Sequence, residues 1–368
     1  MSQTVPEALG KFLELMSQRH ATDVHFKVGS APIIRVQGKL VPLTGKPLTD
    51  DDIQGLFGPL LSEAQKRHYE DHGSLDIGLT HPGAGRFRIN LFRQRGATSV
   101  AVRRVHRLIR SFEDLHLPEV MRTIAETPQG LVIVSGVTGS GKSTTLAAMI
   151  EHLNATRACH IVTVEDPIEY IYEDDKALIN QREVGLDVPS FEEALKYVVR
   201  ADPDVILIGE MRDAESFASG LQAAETGHLV FGTLHTATAS QTLDRILGFF
   251  PKDRQPMIRQ TLGFSLRAIV CQRLVPAMQE ETGHVPAVEV LLNTPTVRKL
   301  ILDGEEKKLN EALTLGSEEG MQDFTESFRR LVEANLVDRH VALKMAPNPE
   351  ALRMALKGIR GSGSGLLS

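Results

Sequence analysis

The spacing of apolar residues changes character along this chain. Near the start, Leu9, Phe12, Leu13 and Met16 recur at helical spacing and predict an amphipathic helix. Short strand-like stretches follow at residues 23–28, 32–36 and 39–43, the last two flanking Gln37-Gly38, which reads as a hairpin turn. Thr49 with Asp52, and Ser62 with Gln65, have the spacing of capping boxes at helix starts. Further strands are predicted at 74–80, 86–95 and 97–106, with a turn at His81-Pro82-Gly83-Ala84-Gly85 between the first two. This half therefore reads as an α+β module of strands covered by helices.

From about Leu131 the pattern switches. Short, wholly apolar runs at 131–134, 161–164, 205–208 and 229–231 alternate with amphipathic helices. Such runs fit strands buried on both faces of a mostly parallel sheet. After residues 286–292 the chain reads as mainly helical to about 357, and the glycine-serine repeat at 361–365 as a flexible tail. The expected organisation is an N-terminal domain over 1–107, a linker over 108–117, a second domain over 118–357 and a tail over 358–368.

Composition narrows the class. Hydrophobic residues make up 42% and charged residues 24%, an ordinary globular balance. Lys and Arg number 41 against 47 Asp and Glu, a net charge of −6, which gives no support to broad nucleic-acid binding. Cys159 and Cys271 alone cannot build a disulfide framework or a four-thiolate zinc site, so a reducing compartment is expected. The polar N-terminus does not read as a signal peptide, and no apolar run is long enough to span a bilayer. These features predict a cytoplasmic protein of two domains.

The most specific signal is Gly136-Val-Thr138-Gly139-Ser140-Gly141-Lys142-Ser143, which fits G-x-x-x-x-G-K-[ST] and lies between a predicted strand and a predicted helix. Glycines let the backbone curl so that several N–H groups converge on one anion, and a helix N-terminus adds favourable partial charge. Lys142 would reach the β- and γ-phosphates of a nucleotide and Ser143 would ligate Mg²⁺. The expected ligands are therefore ATP and Mg²⁺, with Thr144 completing the loop residues.

Ligands of open α/β sheets sit beyond the carboxyl ends of the strands, and that rule sorts the remaining polar residues. Pro167 should stop one strand and leave Glu165 at its crest, with Glu169 close behind. Glu210 follows the run 205–208 in the same way. Glu210 and Glu165 are the candidates for orienting water and holding hydrated Mg²⁺, with Glu169 third. His228 and His235 bracket another strand. Seven residues of strand span ~23 Å, so both cannot touch one γ-phosphate, and the rule favours His235. Arg86, Arg88, Arg93, Arg95, Arg103 and Arg104 crowd two neighbouring strands, with Arg86, Arg88 and Asn90 on the face opposite Phe87, Ile89 and Leu91. A solvated sheet face, arginine fingers reaching a nucleotide and a nucleic-acid groove all fit that pattern.

Together the motifs resemble the secretion-ATPase (GspE/PulE) superfamily and, within it, the type IV pilus retraction ATPases (PilT/PilU-like). The matching stretches are the loop at 136–144 (Walker A), 161–170 with Glu165-Asp-Pro-Ile-Glu169 (the Asp box), 180–185, 202–213 (an atypical Walker B, with Gly209-Glu210 where Asp is common) and 225–236 (the His box). Residues 85–95 look like the family's arginine-bearing strand. The resemblance implies a PAS-like N-terminal domain followed by a RecA-like P-loop NTPase domain with a helical C-terminal subregion. It also implies a homohexamer that couples ATP hydrolysis to domain movement, and finger roles for Arg88, Arg95 and Arg103. The implied partners are an inner-membrane platform protein (PilC-like) and a paralogous pilus ATPase, with no nucleic acid. The implied location is the cytoplasmic face of the inner membrane, reached through the partner. One stretch departs from the pattern. Where the retraction branch carries Ala-Ile-Arg-Asn-Leu-Ile, this chain has Thr296-Val-Arg298-Lys299-Leu300-Ile301, and its surroundings look more like PilU. Extension and export members of the superfamily commonly carry a further N-terminal domain and a tetracysteine module. A chain of 368 residues with 2 cysteines is expected to have neither, which points to the retraction branch.

Overall fold

Thr49 and Ser62 each open a helix with a reciprocal capping box, Asp50–Phe57 and Glu63–His72. They do so in a computed structural model that describes residues 5–36, 38–105, 108–279 and 283–358. By its internal packing the chain divides into two units. One comprises Met1–Leu108 with Pro167–Ile171, and the other Ile109–Asp166 with Tyr172–Ser368.

The first unit is built on six antiparallel strands: β1 (Asp23–Lys27), β2 (Ile33–Val36), β3 (Lys39–Pro42), β4 (Ser74–His81), β5 (Gly85–Gln94) and β6 (Ala97–Arg104), in the order β3-β2-β1-β6-β5-β4. The predicted helix is Glu7–Gln18, and it buries Leu9, Leu13 and Met16. Phe87, Ile89 and Leu91 alternate into the core while Arg86, Arg88 and Asn90 stand off it, as the period of two required. Arg95 departs from expectation. It lies past the end of β5 in the two-residue turn Arg95-Gly96, with φ of +52° and +80° at its two residues. A tight hairpin whose twist matches its strands needs positive φ at both positions, so the turn takes the arginine out of the strand. Gln37 of the other expected hairpin turn, His106 of the expected third strand and the tail at 359–368 lie outside the described residues.

The second unit holds a seven-stranded sheet. Its strands are β7 (Gly130–Ser135), β8 (His160–Glu165), β9 (Leu178–Glu183), β10 (Val205–Ile208), β11 (Leu229–Leu234), β12 (Leu266–Pro276) and β13 (His284–Leu292). Their order is β13-β12-β7-β11-β10-β8-β9, all neighbours parallel except β12 with β13. The four predicted apolar runs are its central parallel strands, and β7, β10 and β11 are buried at every residue. Strands β9, β12 and β13 lie where the sequence pattern names no strand. Beyond β13 the described chain is a series of helices and short helical turns from Pro295–Asp303 to Pro349–Ala355. No helix among the described residues is long and apolar enough to cross a membrane.

Candidate nucleotide site

Sheet order builds the site. The glycine loop leaves β7 and enters the helix Lys142–Thr156, and the two neighbours of β7 are β11 and β12. Ser135 at the tip of β7 is in register with Leu234 on one side and Cys271 on the other, so His235 and Gln272 flank the loop where it begins. Strand β10, with Glu210 just past its end, lies beyond β11. Strand β8, ending on Glu165, lies beyond β10.

The loop is held in an open curl. Gly136, Gly139 and Gly141 have φ of +153°, +77° and +88°. A Cβ at Gly136 would lie 2.5 Å from the carbonyl oxygen of Gln272, and one at Gly141 would lie 2.7 Å from its Nε2. Gln272 cannot step aside, because its buried amide is used at both ends. Nε2 donates to the carbonyl of Ser140 at 2.8 Å, and Oε1 accepts from Thr145 Oγ1 at 2.8 Å. The loop thus needs glycine where it passes over β12. Thr138 and Gly139 are exposed at its apex, Ser143 and Thr144 half-buried at the helix start. The Oγ of Ser140 is buried without a hydrogen-bond partner inside this curl, and Lys142 Nζ is bent back to donate to the carbonyls of Gly136 at 2.8 Å and Val137 at 3.2 Å. An orphaned donor, a bent-back ammonium and a helix N-terminus are the groups that a bound polyphosphate would engage. Alongside, a cavity of about 260 Å³ is lined by Arg110, Asp114, Thr144, Thr145, Gln272 and Pro286 among others.

A line of charge leads away from the loop. Lys142 Nζ lies 3.5 Å from His235 Nδ1, His235 Nε2 lies 3.1 Å from Glu210 Oε1, and Glu210 Oε2 lies 2.8 Å from Arg212 Nε. An ammonium has donors only, so Nδ1 facing it is the acceptor and the ring proton sits on Nε2, donated to Glu210. Glu210 is only about a quarter exposed, and each of its oxygens has a cationic or N–H partner. Gly209 explains the unusual Gly-Glu pair: a Cβ there would meet the Cα of Glu165 and the carbonyl of Val164, each at 3.2 Å. Its N–H donates to that same carbonyl at 2.8 Å. Glycine therefore lets the tip of β10 lie against the backbone of β8.

Of the carboxylates predicted from the strand-crest rule, Glu210 joins this line, while Glu165 sits on its own strand tip. The Oε1 of Glu165 accepts from Thr163 Oγ1 at 2.6 Å and from Gln181 Nε2 at 3.3 Å. Three strand spacings separate β8 from β7, about 14 Å. Glu169 belongs to the segment Pro167–Ile171, which groups with the first unit. His228 is not brought to the loop. It precedes β11, and its Nδ1 lies 2.9 Å from the carbonyl of Ala223 and 3.3 Å from Thr226 Oγ1, closing the end of the helix Ala214–Glu225. Arg88, Arg95 and Arg103 all lie in the first unit. Arg88 and Arg103 face each other across β5 and β6, and each is held through Nε, Arg88 by Asp76 at 3.2 Å and Arg103 by the buried Asp23 at 2.7 Å. The residues missed were Gln272, Arg212 and Ser135. Only Gln272 carried a signal, as an amide inside the apolar run of β12.

A sequence profile of the type II/IV secretion system protein family matches residues 71–351. The chain is 39% identical over 340 residues to the type IV pilus retractation ATPase PilT of Pseudomonas aeruginosa, covering 92% of this chain and 98% of that protein. It is 39% identical over 347 residues to the type IV pilus ATPase PilU of the same organism, covering 94% and 91%. The crystal structure of the pilus retraction motor PilT with bound ADP superposes with a TM-score of 0.85 at 38% identity, covering 93% of this chain and 98% of that one.

Proposed function

Because this chain belongs to the type II/IV secretion system protein family, we propose that it is a motor ATPase that hydrolyses ATP to drive type IV pilus retraction. The observation that carries the reading is the contact line from Lys142 through His235 to Glu210. It joins the phosphate loop to a carboxylate beyond the next-but-one strand.

In this reading ATP lies with its phosphates in the curl of residues 136–143 and its nucleoside toward the cavity beside Thr144 and Gln272. Lys142 gives up the carbonyls of Gly136 and Val137 for phosphate oxygens, while the loop N–H groups and Ser140 Oγ supply further donors. Mg²⁺, held through Ser143 with Glu165 and Glu210 toward its waters, would offset the charge that develops on the phosphates. Glu210 accepts the proton of the attacking water, and it is the group best placed to do so because His235 and Arg212 already fix its two oxygens. His235 sits between the loop lysine and that base, so loss of the γ-phosphate changes the field on the residue that orients water. Thr138, Gly139 and Thr144 shape the loop. Arg88, Arg95 and Arg103 are read as fingers presented to nucleotide within a homohexamer. A hexamer docked on an inner-membrane platform protein at the cytoplasmic face would pass the resulting domain movement to the pilus.

A second reading draws on the equal identity to PilU and on Thr296 and Lys299: an accessory paralogue that modulates a partner pilus motor with little turnover of its own. Steady-state phosphate release from the purified protein separates the two. The motor reading expects sustained release, and expects Lys142→Ala to lose nucleotide binding and release together. Tight binding with turnover no higher than in Lys142→Ala would favour the accessory role.

A further inference from the structure

The turn that carries His235 has no strand ladder to hold it. Its amide groups are caught instead by side chains from three elements. Thr236 N–H donates to Ser135 Oγ on β7 at 2.9 Å, Ala237 N–H to Gln241 Oε1 at 3.3 Å, and Ala239 N–H to Glu289 Oε1 at 2.8 Å. Ser135 precedes the phosphate loop, and Gln241 belongs to the helix that the turn leads into, Ala239–Gly248. Glu289 is the outlier, since it comes from β13, three strands from β11 at the edge of the sheet.

A carboxylate is costly in that place. Glu289 is 4% exposed, midway along a strand whose flanking residues are buried and apolar. Cys271 of β12 is opposite it in register, and the charged groups facing it are Arg273, also on β12, and Asp323, the cap residue of the helix Phe324–Glu333. Burial, the largest influence, pushes its carboxyl up to about 7, with the Ala239 N–H and Arg273 pulling the other way and Asp323 adding to the rise. A well-packed apolar side chain would avoid this cost. An apolar side chain could not supply a fixed acceptor at the positive end of the Ala239–Gly248 helix, where a charge-assisted hydrogen bond is strongest.

We propose that Glu289 is a positioning residue for His235: by holding the Ala239 N–H it fixes the turn 235–239, and so keeps the imidazole between Lys142 and Glu210. The inference rests on the reading of His235 given above. It differs from a packing role, because it requires the hydrogen-bond acceptor and not the side-chain volume. It also makes the ionised form the better anchor, so the turn should loosen as Glu289 gains its proton.

The experiment compares full-length wild type, Glu289→Gln and Glu289→Leu. Amide hydrogen exchange across residues 235–242 is measured without nucleotide, and phosphate release with ATP from pH 6 to 8. Glu289→Leu should exchange at the Thr236–Ala239 amides about tenfold faster and lose about tenfold in kcat, with KM for ATP changed less than twofold. Glu289→Gln, which keeps a neutral acceptor, should retain most of the protection and at least half of kcat at pH 8, and its kcat relative to wild type should rise toward one as the pH falls to 6 and wild type gains its own proton. Wild-type exchange at those amides in a folded Glu289→Leu overturns the proposal whatever its activity, as does an equal loss in both variants. Should Glu289→Leu not fold, a ratio of Glu289→Gln to wild type that stays constant from pH 8 to 6 overturns it. A wild-type protein that releases no phosphate would refute the ATPase reading and leave the exchange result to judge this one.

Discussion

His235 Nε2 lies 3.1 Å from Glu210 Oε1, although the two residues end different strands and stand 25 positions apart in sequence. The pairing follows from β10 and β11 running parallel with Ile208 in register with Gly232, which delivers both side chains past the same edge of the sheet. Catalysis at such an edge depends on which polar residue each strand releases, and the two histidines around β11 allow that dependence to be measured directly.

Replacing His235 with Ala removes the group between Lys142 and Glu210. Turnover should fall at least tenfold, with nucleotide affinity changed less than threefold. Replacing His228 with Ala breaks only local hydrogen bonds at the end of a helix, so it should cost about 1 kcal/mol of stability and leave kcat within threefold. Phosphate release and thermal melts on both variants check the contrast, and equal loss of turnover in the two would contradict the geometry.

Gln272 predicts an effect that no motif would suggest. In Gln272→Leu the carbonyl of Ser140 and the hydroxyl of Thr145 lose their partners while still buried, at about 1–3 kcal/mol for each group. The melting temperature should fall by several degrees. Affinity for ADP should fall as well, because the same amide props up the phosphate loop. Calorimetry and an ADP titration read the two effects separately.

Glu289 ties stability to pH. Its carboxyl is raised from an ordinary value of 4.5 to about 7 in the fold. Between those values the folded chain keeps a proton that the unfolded chain has released, so stability falls as pH rises through that window and levels off above about 7. The cost fully expressed at high pH is on the order of 3 kcal/mol. Glu289→Gln escapes it and should melt above wild type at pH 8, with the gap closing toward pH 5. A gap of the same size at both pH values would show that Glu289 does not titrate in this way.

The parts of the site legible in the sequence were those carried by one continuous segment. Residues 136–143 announce a phosphate loop because strand, glycines and helix follow one another, and the positions of Glu165, Glu210 and His235 at or just past strand ends follow from asking where each strand stops, though only Glu210 and His235 join the contact line from Lys142. Gln272 and Glu289 could not be placed. Their partners lie 132 and 50 positions away, and only the insertion of β12 beside β7 brings the first of them to the loop. Strand β12 itself escaped notice because a strand buried on both faces shows no alternation, and Arg267, Gln272 and Arg273 interrupt its apolar run. Edge strand β9 is concealed for the opposite reason, because Asn180, Gln181, Arg182 and Glu183 give it neither an apolar run nor an alternation. Arg95 stands one position past its strand, and the positive φ that puts it there leaves no mark in composition at a non-glycine residue.

On the proposed function, Glu210 drives hydrolysis and hydrolysis drives retraction. The most direct measurement is pilus retraction in a strain lacking this gene, complemented with wild type or with Glu210→Gln and scored for surface pili and twitching. Wild type should restore twitching and normal pilus number, whereas Glu210→Gln should leave cells crowded with pili and non-motile. Purified Glu210→Gln should still bind nucleotide but release phosphate at least a hundredfold more slowly. Normal twitching with Glu210→Gln, or a deletion strain that retracts its pili as the parent does, would contradict it.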